Sequence, residues 1–322
     1  MTTLTIDPDL QPALNALQEF WGDTAMDLSD LTNARQTHNA MAEQRNATAP
    51  VTKGVESSRH LIFDADMGLE VPVYLHKFSE LGNAPCNVLL HIHGGGLVVG
   101  AAAHAEPQLR ALAKQFSCAV VSVDYRLAPE HPFPAALFDC VAVLKWLRSE
   151  SETFGVNTQK IVVLGESAGG GIAAGMALYA RDQNLNIEIA QQILLYPMLD
   201  CQNIDQVSDN KPDTVLWSRG NNKFGWAAYL ADGVDDHMLS YASPNYAKDW
   251  QNIPPTYVCI GDIDLFYEEN CKYVEQLRAA SVNAEIDIYP DAYHAFQVAM
   301  PEAAVSQKCL QKLNSVLSKA LS

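Results

Sequence analysis

Positive charge is scarce in this chain of 322 residues: 21 Lys and Arg stand against 38 Asp and Glu, a formal net charge of −17, and no basic run offsets it. Such a surface repels nucleic-acid phosphates and anionic lipid, so neither nucleic acid nor membrane is an expected partner. A neutral or cationic small molecule suits the field better. Long apolar runs are also missing; none reaches the roughly 20 residues that span a bilayer. The opening MTTLTIDPDL has no basic segment followed by an apolar core. The expected location is therefore cytoplasmic. Cysteine pairing signals are absent too: seven cysteines, an odd number, contain no C-x-x-C. Cys118 in SCAVVSV and Cys259 in YVCIG read as small buried side chains kept reduced. No G-x-G-x-x-G occurs, and no Lys-Ser/Thr follows a glycine cluster, which removes the usual phosphate-binding loops.

What is present is apolar material: 48% hydrophobic against 18% charged residues, enough for a sizeable core. From about residue 60, short β-rich runs recur: HLIF near Leu61, VPVYLH near Val73, NVLLHI, CAVVSV, KIVVLG, QILLYP, TYVCIG and AEIDIY. Amphipathic segments of helical length lie between the later ones, at 105–116, 135–148, 168–181, 268–280 and 303–321. Continuous apolar strands alternating with helices predict a mostly parallel sheet of eight strands covered on both faces, an α/β architecture. The first two runs, with no helix between them, predict an antiparallel hairpin. Residues 1–55 read as a separate helical segment: Leu10, Leu14, Leu17 and Phe20 recur at helical spacing, Asp7 before Pro8 is a candidate N-cap, and a second polar helix covers Leu31–Arg45. Residues 56–322 form the main domain. Within it, residues 201–250 break the alternation with a polar, acidic stretch punctuated by Trp217, Phe224, Trp226 and Tyr229. A connection that long is expected to be an insertion, and either a lid or a surface excursion with its own small core.

Chemistry concentrates in four places. Gly165-Glu166-Ser167-Ala168-Gly169 follows an apolar strand and opens a small-residue helix, the context of a nucleophile elbow. A serine held in so sharp a strand-to-helix turn needs Gly165 and Gly169 because backbone packs closely on both sides. Its hydroxyl would stand at the C-terminal edge of the sheet beside a helix N-terminus, where negative charge is stabilised. His93-Gly94-Gly95-Gly96 follows another strand, and glycine N–H groups left uncovered there would face the oxyanion of an acyl-transfer intermediate together with the N–H of Ala168. Of nine histidines, His294 in YPDAYHAF follows the last strand and comes after the serine in chain order. The acid that orients it lies after TYVCIG, where Asp262 and Asp264 are near-equal candidates; Glu268 and Glu269 read better as first-turn charges of the next helix. Two weaker signals compete. Ser208-Asp209-Asn210-Lys211 matches S-x-x-K but precedes Pro212 in an acidic loop. His91 and His93 form an i, i+2 pair without a third ligand, so no metal is expected.

Taken together, HGGG, VDYRLAPEHPFPAALFD, GESAGG, LLYPMLD, GDIDLFYEEN and YPDAYHAF, in that order over residues 70–320, resemble the hormone-sensitive lipase family of α/β-hydrolases, the bacterial family IV esterases. The resemblance implies an α/β-hydrolase fold and hydrolysis of a small carboxylic ester by a Ser167–His294–Asp264 triad without cofactor. It selects Asp264, the first residue of a D-P-L-x-D-E-like segment, over Asp262. It also implies oxyanion donors from Gly95, Gly96 and Ala168, a cap built from the N-terminal segment and the 201–250 insertion, structural ion pairs for Arg126, Glu130 and Asp139, and a homodimer as the common assembly. Leu97, Glu166 and Gly171 depart from the family pattern, which bears on pocket shape and leaves the triad intact. Amidases, lactonases, carbamate hydrolases and acyltransferases use the same triad. Non-catalytic receptors on this scaffold lose the histidine that stands here as His294.

Overall fold

The computed structural model describes residues 5–21, 26–82, 85–149, 155–203, 216–231 and 233–322. Eight strands form one sheet: β1 (Val55–Asp64), β2 (Leu69–Phe78), β3 (Cys86–Ile92), β4 (Ala119–Val123), β5 (Val156–Glu166), β6 (Ile189–Leu195), β7 (Thr256–Gly261) and β8 (Ala284–Tyr289), in the order β1-β2-β4-β3-β5-β6-β7-β8. The expected hairpin is β1–β2, and β2 also pairs antiparallel with β4; every later pairing is parallel. The central strands are buried along almost their whole length because helices cover both faces, which is why they read as apolar runs rather than alternating ones.

Helices α1 (Gln11–Trp21) and α2 (Leu31–Thr48) precede the sheet; α3 (Glu106–Gln115), α4 (Ala135–Ser149), α5 (Ala168–Asp182), α6 (Arg219–Tyr229), α7 (Asp236–Ala242), α8 (Tyr267–Ala279), α9 (Phe296–Ala299) and α10 (Ala304–Ala320) follow its strands. Asp7 caps a turn rather than the helix itself: its carboxylate accepts the N–H of Asp9, its carbonyl accepts that of Leu10, and α1 begins only at Gln11. Pro8 suits that first turn equally well, so the local chemistry could not tell the two starts apart. Leu10 and Leu14 are buried, whereas the side chain of Phe20 lies outside the described set. Helix α2 runs to Thr48, one turn past the expected end.

That polar helix is held down by polar side chains: Arg45 and Asn46 donate to the carbonyls of His104 and Ala103 at 2.8 and 3.0 Å, and Arg35 makes the largest set of contacts. Arg35 donates through Nε to the carbonyl of Val98 at 2.8 Å, through Nη2 to that of Ala128 at 2.9 Å, and pairs with Glu130 at 2.7 Å. Its few apolar residues could not anchor it alone. Within the insertion, residues 204–215, including the S-x-x-K stretch, lie outside the described residues. Beyond them α6 and α7 pack on the body: Trp226 and Tyr229 are buried, Tyr229 meets Phe133 edge-on at 5.5 Å, and its carbonyl accepts the N–H of Phe133. These aromatics therefore extend the main core and form no separate one.

Candidate active site

The catalytic edge is built where strands end. Strand β5 stops at Glu166, α5 starts at Ala168, and Ser167 between them has φ 52° and ψ −118°. A non-glycine residue in that region is strained. It is held by four hydrogen bonds: its N–H donates to Leu195 and its carbonyl accepts from Gly170, Gly171 and Met198. The flanking glycines are required sterically. A Cβ on Gly169 would lie 2.2 Å from the carbonyl oxygen of Ile92, and one on Gly165 would lie 2.5 Å from that of Gly169. Ser167 keeps only a small exposed surface, at the floor of a cavity of about 290 Å³.

His294 Nε2 lies 3.0 Å from Ser167 Oγ, and His294 Nδ1 lies 2.8 Å from Asp264 Oδ2. Both partners come from loops after the last two strands, β7 and β8. Asp264 is 1% exposed, and its other oxygen accepts the N–H of Phe266 at 2.9 Å. Tyr196 and Phe266 flank the imidazole edge-on at 4.7 and 5.2 Å, restricting its tilt. Asp262 is spent elsewhere: it accepts the N–H of Asp291 at 2.7 Å and ties the acid loop to the histidine loop. Glu268 and Glu269 occupy the first turn of α8 as expected, but Glu269 is buried and accepts the N–H of Leu199 and the side-chain amide of Asn203, each at 2.6 Å. Burial pushes its carboxyl well above the usual range.

The loop after β3 carries Gly94, Gly95 and Gly96 past Ser167. A Cβ on Gly94 would sit 3.3 Å from that of Ser167, and Gly95 and Gly96 both have positive φ, at 123° and 56°. Ala168 sits at the first position of α5, where the N–H has no intrahelical acceptor. The glycine loop and the start of α5 thus both lie beside Ser167, with Gly94 closest to it. His93 anchors the loop. It stacks on Tyr125 at 4.1 Å, its carbonyl accepts the Tyr125 hydroxyl at 2.8 Å, and its Nδ1–H donates to Gly94. Burial pushes its imidazole down to about 3, so it is neutral. His91 is bonded to Ser122 at 2.8 Å. Among the described residues no three His, Cys, Asp or Glu side chains gather closely enough to hold a metal. Arg126 and Asp139 form a forked pair at 2.7 Å, matching the structural part expected of them.

Tyr125, Tyr196, Phe266 and Trp217 pack against His93, His294 and Gly96, contacts that the residues alone did not advertise. Tyr125 and Tyr196 each follow the C-terminal end of a strand, the one cue available. Trp217 was visible merely as an aromatic in the insertion; it lines the cavity with its ring on Gly96.

Residues 89–298 match the model of a family described as having the alpha/beta hydrolase fold. The carboxylesterase NlhH of Mycobacterium tuberculosis is 31% identical over 309 residues, 92% of each chain. An arylesterase of Saccharolobus solfataricus is 26% identical over 281 residues, 87% of this chain and 88% of that one. Among solved structures, a bacterial heroin esterase superposes with a TM-score of 0.90 at 33% identity and covers 100% of both chains. No described helix is long and apolar enough to cross a membrane. With motif order, sheet topology and these likenesses in agreement, the chain belongs to the α/β-hydrolases, in the hormone-sensitive lipase family of bacterial family IV carboxylesterases.

Proposed function

We propose that this carboxylic ester hydrolase attacks short- to medium-chain esters with Ser167, using His294 as base and Asp264 as its orienting carboxylate. The observation that carries the reading is the unbroken hydrogen-bond chain from Ser167 Oγ through both nitrogens of His294 to Asp264. His294 Nε2 takes the hydroxyl proton as Oγ bonds to the ester carbonyl carbon. The resulting oxyanion is met by the N–H groups of Gly95, Gly96 and Ala168. Collapse of that intermediate breaks the C–O bond, and the alcohol leaves with the proton from His294. Water, deprotonated by the same nitrogen, then cleaves the acyl-enzyme. Asp264 keeps the proton of the resting imidazole on Nδ1, leaving Nε2 free to accept.

In this reading residues 1–55 and the 201–250 insertion form the cap. The support is that Met26, His38 and Arg45 from the first and Leu216 and Trp217 from the second line the cavity. A cavity of about 290 Å³ favours short and medium acyl groups over long chains. Seven cysteines, none of them in a disulfide, suit a reducing compartment such as the cytoplasm. β8, bonded among the described residues to β7 alone and with Ile288 44% exposed, offers the edge for a homodimer, which sedimentation velocity would detect. The deciding experiment is hydrolysis of p-nitrophenyl esters of increasing acyl length. Ser167→Ala is expected to lose at least about 10⁴-fold in kcat while still binding substrate. Full activity in that variant would end the proposal.

A further inference from the structure

The insertion touches the glycine loop at two points. A Cβ on Gly96 would fall 1.9 Å from the indole of Trp217, so the ring rests directly on that glycine. Nearly two turns into α6, a Cβ on Gly225 would fall 2.6 Å from the Gly96 carbonyl oxygen, so helix backbone presses on the same residue. Trp217 is 8% exposed and lines the cavity together with Ser167.

A buried polar relay sits behind the ring. The indole N–H faces Asn222 Oδ1 at 3.5 Å, and Asn222 Nδ2 donates to the Asn203 carbonyl at 2.7 Å. Asn203 Nδ2 donates to the Leu265 carbonyl at 3.1 Å and to Glu269 Oε2 at 2.6 Å. Asn222 is fully buried, and Asn203 and Glu269 nearly so. Leu265 adjoins Asp264, so the relay runs from the acid loop, through the insertion, to the ring on the glycine loop. Buried amides with this many partners are costly to leave half satisfied, and each link therefore resists displacement.

We propose that Trp217 is the specificity-determining wall on the glycine-loop side of the cavity, and that Asn222, Asn203 and Glu269 are positioning residues that hold it there. This rests on the reading of Ser167 as nucleophile and of the glycine loop as the oxyanion site. With the ring seated, substituents that branch next to the scissile carbonyl meet the indole; with it removed or released, they are admitted.

The test is the ratio of kcat/KM for a branched ester to that for its linear counterpart. It is read in two arms, pivalate against acetate of one alcohol, and tert-butyl against ethyl alcohol of one acid. Trp217→Ala is expected to raise the ratio in at least one arm by about tenfold or more, since a hydrophobic wall discriminates single methyl-sized groups by that order. Asn222→Leu, which keeps the indole and removes its seat, should move the same arm in the same direction by a smaller factor. Trp217→Phe, which conserves packing if the alanine variant fails to fold, should fall between wild type and alanine. Ratios unchanged in both arms for Trp217→Ala or Trp217→Phe would overturn the wall. A shift with Trp217→Ala and none with Asn222→Leu would overturn the relay. Failure of the nucleophile reading shows separately, as retained activity in Ser167→Ala.

Discussion

At Ser167 the backbone is in a conformation that only its surroundings sustain. Its φ of 52° follows from β5 turning into α5 within one residue, with Gly165 and Gly169 giving up their Cβ positions to carbonyl oxygens 2.2–2.5 Å away. The consequence is a hydroxyl fixed in position before substrate arrives, which is what proximity catalysis requires. The same reasoning applies to His294, whose tilt is restricted by Tyr196 and Phe266 and whose Nδ1 faces Asp264. Asp264→Asn is expected to keep the fold but lower kcat on the order of 10⁴-fold, because the amide can present its N–H to Nδ1 and so favour the wrong tautomer. Asp262→Asn should cost far less, since its carboxylate accepts a loop N–H that an amide oxygen can also accept. Equal losses for the two variants, measured by steady-state kinetics, would contradict the division of labour between them. The residues alone left this pair undecided, because two carboxylates spaced by one residue in a loop give no cue to which faces the histidine.

At the scale of elements, α2 shows how a helix of poor amphipathic character is recruited to a site. Arg35 supplies three attachments to the body, and the helix in turn brings His38 and Arg45 to the cavity. Arg35→Ala should lower stability by about 2 kcal/mol, the scale of hydrogen bonds to a charged group. It should also raise KM more than it lowers kcat, because the helix lines the cavity and holds no triad member. Thermal denaturation and a kcat against KM comparison would check both halves; an unchanged KM would count against the attachment. The strands were legible in advance as eight β-rich runs, the central ones because burial on both faces leaves an apolar signature. The pairing of β2 with β4 was not, because register and neighbour are set by partners distant in the chain. Trp226 and Tyr229 were equally ambiguous, for a buried aromatic reads the same whether it fills a separate small core or joins the main one.

The whole molecule carries several imidazoles that folding keeps neutral. Burial holds His38 and His76 down to about 4 and His93 to about 3, and His104 is pushed the same way by burial and by Arg45. Unfolded, each would titrate near about 6.5. Between those values the unfolded chain binds more protons than the native one, so stability is fully present above the unfolded value and is lost as pH falls. Glu269, its carboxyl raised by burial, pulls the other way. The net expectation is a stability that falls as pH drops from roughly 6 to 5. Urea midpoints measured across that range would test it, and a flat profile would mean that the imidazoles are charged in the native state. The order of motifs, the alternation of strands and helices, and the nucleophile elbow were determined by the sequence itself, because each rests on local sterics and on the period of burial. The tertiary structure alone decided where side chains from remote segments meet. Asp264 reaches His294 in place of Asp262, Arg35 pins α2 across the glycine loop, and Trp217 settles on Gly96. Each contact joins elements tens to hundreds of residues apart, and no local pattern encodes which of several chemically equivalent partners lies within 3 Å.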